Sequence, residues 1–116
     1  MKRLIAVLGA AAVVFAAIVV PALARTRTVE VGPGTRFTRS DETLKTLRIH
    51  EGDKIKFEWS GRLPHNVRIS KGPREGTIAR THRRGYEKTR TFTRAGTYTI
   101  VCDIHAPNMK FKVRVS

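Results

Sequence analysis

Only one cysteine, Cys102, occurs in this chain of 116 residues. That excludes an intramolecular disulfide framework and any metal site built from several thiolates. Acidic residues are scarce as well. Nine Asp and Glu face 23 Lys and Arg, for a formal net charge of +14. Aromatic residues make up 7% of the chain, but 41% of it is hydrophobic, too much for a disordered basic tail. There is no internal repeat, and no low-complexity tract beyond an Ala/Val run near the start. The length allows one domain, or one domain and a targeting segment.

The one long uncharged run lies at the beginning. Met1-Lys2-Arg3 is a short positive segment, Leu4 to Val20 carries no charge, and Pro21-Ala22-Leu23-Ala24 puts small residues at positions 22 and 24. This is the three-part pattern of a secretory signal cleaved after Ala24. The competing reading is an uncleaved anchor, because Leu4 to Val20 is at the lower limit for crossing a bilayer. Both readings make residues 25–116 an extracytoplasmic domain, periplasmic or secreted, tethered by residues 4–20 in the second. A domain of that size folds on a small core and gains from a bound metal.

The remainder reads as short strands. Lys54-Ile55-Lys56-Phe57-Glu58-Trp59 alternates polar and apolar residues, as does Lys110-Phe111-Lys112-Val113-Arg114-Val115. Period two marks half-buried strands. Weaker runs occur at Thr28–Val31, Leu47–Ile49, Val67–Ile69 and Thr97–Cys102, and Glu51-Gly52-Asp53 reads as a tight turn. Six or seven such strands predict an all-β antiparallel sandwich or barrel. Gly72 to Lys88 has no clean period and is expected to be a long connection with at most a helical turn.

A free thiol in an exported protein is exposed to oxidation or to pairing between chains. As a single residue, Cys102 could simply be a small buried hydrophobe. Its neighbours change the reading. His105 and Met109 follow within Cys102-Asp103-Ile104-His105-Ala106-Pro107-Asn108-Met109, and a second imidazole lies upstream in Pro64-His65-Asn66-Val67. Thiolate and thioether favour copper, and imidazole suits both of its oxidation states. Two His and one Cys in a trigonal plane with a long axial Met define a blue-copper electron-transfer site. His50 and His82 are read as surface residues rather than ligands.

These segments, with Glu51–Phe57 and the tract Thr91–Met109, resemble the cupredoxins, in particular the small plastocyanin- and amicyanin-like proteins. The resemblance extends over most of residues 27–116. It implies a Greek-key β-sandwich holding one type 1 copper through His65, Cys102, His105 and Met109. It also implies that Asn66 ties its loop to the Cys102 loop near Asp103. Three departures stand out: the spacing from His105 to Met109 is intermediate among family members, Phe111 occupies a position where many members have Gly, and Trp59-Ser60 replaces a more usual Asn-containing segment.

A site with all four positions filled has none left for a substrate, which argues against an enzyme. The expected function is single-electron shuttling between redox partner proteins. Leu63, Pro64, Ala106 and Pro107 would form a small apolar docking patch beside a ligand His. The basic residues from Arg74 to Arg94 are either a solvated face or a steering surface for acidic partners, anionic membranes or wall polymers. Nucleic acid is not expected, since the domain is exported, and a monomer is. Two alternatives share the fold: a copper-binding protein for delivery or buffering, and a basic binding module for anionic partners.

Overall fold

The computed structural model describes residues 23–116, so the leader expected over residues 1–24 lies, up to residue 22, outside the described residues. Ten strands follow: β1 (Thr26–Val31), β2 (Phe37–Arg39), β3 (Glu42–Thr43), β4 (Thr46–Ile49), β5 (Lys54–Trp59), β6 (His65–Lys71), β7 (Gly76–His82), β8 (Glu87–Thr91), β9 (Gly96–Val101) and β10 (Lys110–Val115). They form two five-stranded sheets, in the orders β3-β2-β1-β5-β8 and β4-β10-β9-β6-β7. The described residues contain no helix.

The alternating segments are half-buried strands, as expected. In β10, Phe111, Val113 and Val115 turn inward while Lys110, Lys112 and Arg114 stay exposed. The inward residues of both sheets meet in one core, where Phe111 packs between Phe37 and Phe57, with ring centroids 4.9 and 6.5 Å away. The aromatic ring at position 111 therefore serves the core. Truncating such a ring to Ala costs about 3–5 kcal/mol.

Two expectations are corrected. The sheets are mixed rather than antiparallel, because β1 pairs parallel with β5 and β4 parallel with β10. Residues 72–88 are not a long connection: they hold β7 and the start of β8. In β7 the adjacent residues Ile78 and Ala79 are both buried, opposite a register irregularity in β6, and this erases the period of two. Strand β8, Glu-Lys-Thr-Arg-Thr, lies at a sheet edge and carries no apolar residue. Charged side chains protect such an edge from pairing with other chains.

The Glu51-Gly52-Asp53 turn ties both sheets to the start of β1. Asp53 is buried; its Oδ1 accepts from the Arg25 amide at 2.9 Å and its Oδ2 from the His50 amide at 2.9 Å. Those two bonds favour the carboxylate and hold its pKa below the usual value, against the opposing effect of burial. A depressed folded-state pKa contributes stability above the unfolded value of about 3.9, and that stability is lost as pH falls through the folded value. Asp53→Asn is expected to lower Tm at neutral pH and to flatten the loss of stability on acidification below about pH 4. Thermal melts of both proteins from pH 2 to 7 check this; parallel profiles would contradict it.

Candidate metal centre

His65 opens β6, an interior strand of the second sheet between β9 and β7. Its side chain is fully buried. The backbone at this point is anchored from below: the Trp59 indole N–H donates to the His65 carbonyl at 2.8 Å. Trp59 is itself 3% exposed and packs edge-on against Tyr86 and His82. A buried indole needs an acceptor, and this one is met by the residue that begins the site. Trp59, one of the two residues that depart from the family's usual segment, thus anchors the His65 backbone.

Cys102 immediately follows β9, and residues 102–109 return the chain to β10 through the paired residues Val101 and Lys110. The loop is closed by its own backbone. The Cys102 amide donates to the Met109 carbonyl at 3.0 Å, and the Met109 amide donates to the His105 carbonyl at 3.3 Å. Cys102 and Met109 are fully buried, while His105 is half-buried.

The two segments are clamped side chain to backbone. Asn66 Nδ2 donates to Asp103 Oδ2 at 2.7 Å, and the Asp103 amide donates back to Asn66 Oδ1 at 2.8 Å. This is the tie that the resemblance implied. Arg68 adds a forked bond to the same carboxylate, with Nη2 to Oδ1 at 2.7 Å and Nε to Oδ2 at 3.0 Å. Arg68 was not singled out in the sequence; a strand residue two positions beyond Asn66 faces the same way, which is the only signal there was. The Arg68 guanidinium, and then Asn66, hold the Asp103 carboxyl below the usual range.

The clamp brings three donor atoms together. His65 Nδ1 and His105 Nδ1 are 3.1 Å apart, and each is 3.7 Å from Cys102 Sγ. A triangle with those sides has its centre about 2.0 Å from every corner, the length of a metal–imidazole bond. His65, Cys102 and His105 accordingly form a group able to hold a metal ion. Burial, and secondarily the neighbouring His105, push the His65 pKa down, with a Gly34 backbone contact opposing. The neutral imidazole is the form that binds metals. His65 Nε2 is buried without a well-formed hydrogen bond. The other two histidines stay outside this group: His50 is exposed, and His82 stacks on Tyr86 with centroids 3.4 Å apart.

The ligand-bearing segments also carry exposed apolar residues on either side of half-buried His105 and just before His65. Leu63 is 42% exposed and Ile104 48% exposed, and Ala106 and Pro107 are exposed beside them. The expected patch therefore gains Ile104. Its place between Asp103 and His105 gave no periodic cue.

With this geometry in hand, comparison with known proteins is direct. The family model of copper binding proteins, plastocyanin/azurin family, matches residues 42–116. The chain belongs to that family. Among solved structures, amicyanin from Paracoccus versutus (Thiobacillus versutus) is 25% identical, over 86% of this chain and 88% of its own, with a TM-score of 0.63. A reduced-state amicyanin mutant is 25% identical, over 78% of this chain and 82% of its own, with a TM-score of 0.64. A Cu(I) form of another amicyanin mutant is 25% identical over the same shares, with a TM-score of 0.62. No match was found among curated proteins. Copper is the metal of this protein, at one site, and the soft sulfur and imidazole donors fit it.

Trp59→Phe keeps an aromatic ring, though a smaller one, and leaves the His65 carbonyl without its donor. The expected result is a loss of about 1–3 kcal/mol in denaturant unfolding, with a shifted copper spectrum because His65 is no longer held. An unchanged stability and an unchanged spectrum would show that the indole bond does not position the site.

Proposed function

We propose that this protein is an extracytoplasmic type 1 copper protein that carries single electrons between redox partner proteins and is not itself an enzyme. His65 Nδ1, His105 Nδ1, Cys102 Sγ and the Met109 thioether would hold the copper. Residues 1–24 act as its export signal, and residues 25–116 form the working domain. The observation that carries this reading is the buried triangle of two imidazole nitrogens and one sulfur.

Copper bound there supplies a one-electron Cu(II)/Cu(I) couple. The chain's part is to keep the donors fixed through both states. The Asn66–Asp103–Arg68 clamp and the backbone bonds from Cys102 to Met109 and from Met109 to His105 do this. A ligand set intermediate between the preferences of the two oxidation states needs little rearrangement when an electron passes. Burial of His65, Cys102 and Met109 excludes water, and half-buried His105 with Leu63, Ile104, Ala106 and Pro107 forms the contact edge. Transient redox complexes use small interfaces of this kind. Metal ligation needs deprotonated sulfur and neutral imidazoles, so copper retention falls in acid.

The test is to load the purified protein with Cu(II) and record its visible and EPR spectra. An intense thiolate-to-copper charge-transfer band, abolished in Cys102→Ala, is expected. Reversible voltammetry and fast electron self-exchange should accompany it. A weak spectrum typical of nitrogen and oxygen ligands, unchanged in Cys102→Ala, would overturn the assignment.

A further inference from the structure

The outer face of the second sheet contains a trough that the electron-carrier reading leaves unused. Its floor is β9, which turns Thr99 and Val101 outward. Its walls are β10 and β6. Register places Lys110 and Arg68 on either side of Val101, and Lys112 and Lys71 on either side of Thr99. Short side chains between rows of long ones make the surface concave, with a volume of about 750 Å³. Lys45 and Arg114 complete the lining cations.

The charge in this trough that is not already paired is positive. Asp103 is the one carboxylate on its lining, and it is already forked by Arg68. Lys45, Lys71, Lys110, Lys112 and Arg114 are all exposed, and among the described residues none of them forms an ion pair. Concave low-dielectric walls lined by one charge focus the field and raise the local concentration of counter-charged partners.

The trough also adjoins the metal centre. Val101 and Asp103, which flank Cys102, line it, as do Ala106 and Pro107, which follow His105. The arginines that stood out in the sequence are elsewhere: Arg74, Arg90 and Arg94 line a separate cavity with Phe92 and Tyr98. That cavity lies toward the Gly96 end of β9; the backbone from Tyr98 on its lining to Cys102 spans roughly 13 Å, and none of its arginines lines the trough.

We propose that this trough is the docking surface for an acidic redox partner protein, whose carboxylates lie along Lys110, Lys112, Arg114 and Lys71 while its redox group faces the His105 patch. The proposal rests on the electron-carrier reading for the partner's chemistry, but not for the anion affinity of the trough. The occupant is a protein rather than a polymer or lipid surface, because the cations of the trough share one lining with Ala106 and Pro107 beside the metal centre, so charge and apolar contact meet in a single footprint.

Two probes test it on the full domain with its copper. In an NMR titration at low salt, hexaglutamate, a redox-inert acidic peptide, should shift the amides of β10, β6 and residues 101–107. Lys110→Glu/Lys112→Glu should remove those shifts, and Arg74→Glu/Arg94→Glu should leave them. In stopped flow, oxidation of the Cu(I) protein by hexacyanoferrate(III) transfers one electron to give hexacyanoferrate(II). The trough pair should slow this by about tenfold or more at low ionic strength, and the Arg74/Arg94 pair should slow it far less. Peptide shifts centred on the Arg74 cavity or spread over the surface, or equal slowing by the two charge-matched pairs, would overturn the proposal. If the peptide maps to the trough but no electron passes, it is the electron-carrier reading that fails.

Discussion

Two imidazole nitrogens and a sulfur lie within 4.8 Å of one another in a mostly buried pocket, and the rest of the structure answers to that constraint. Collecting polar donors away from water is unfavourable unless something binds them. The fold meets this by making the surroundings rigid. His65 is the first residue of an interior strand, its carbonyl held by Trp59. Cys102 and Met109 bracket a loop whose ends are joined by the ladder between β9 and β10. The Asn66–Asp103–Arg68 bonds lock one segment to the other. Each of these bonds is peripheral to the donors, yet together they fix donor spacing within bonding range of a single ion.

The same economy organises the surface. Side chains inside β10 build the core with Phe111, while the alternate residues of that strand carry the positive charge outward. A single alternating strand therefore serves both the stability of the sandwich and the electrostatics beside the metal centre. The apolar edge at Leu63 and Ile104 lies where the ligand segments reach solvent, so charge and contact are separated but adjacent.

Much of this was legible in the sequence, for definable reasons. Alternation in β5 and β10 declares a half-buried strand because side chains point to opposite faces at every step. The soft donors of residues 102–109 together with His65 declare a copper set because few other functions use thiolate, thioether and imidazole in one place. What failed was what local pattern does not encode. Strand β8 has no inward apolar residue, so its sequence looks like a loop, and β7 loses its period where Ile78 and Ala79 are both buried. The parallel pairings of β1 with β5 and β4 with β10 are choices of partner and direction, which period two does not specify. Arg68 and Trp59 act on the site through contacts made only when distant segments meet. The basic trough required the register of β6, β9 and β10, so composition gave its sign and only the sheet gave its place.

Copper K-edge X-ray absorption of the loaded protein tests the central claim most directly, because it counts the donors around the metal. The account predicts one tightly bound sulfur and two imidazole nitrogens near 2.0 Å, with the sulfur lost in Cys102→Ala and one nitrogen lost in His65→Ala. A shell without sulfur, or one unchanged by His65→Ala, would mean that the two segments do not share an ion, and the account would be wrong.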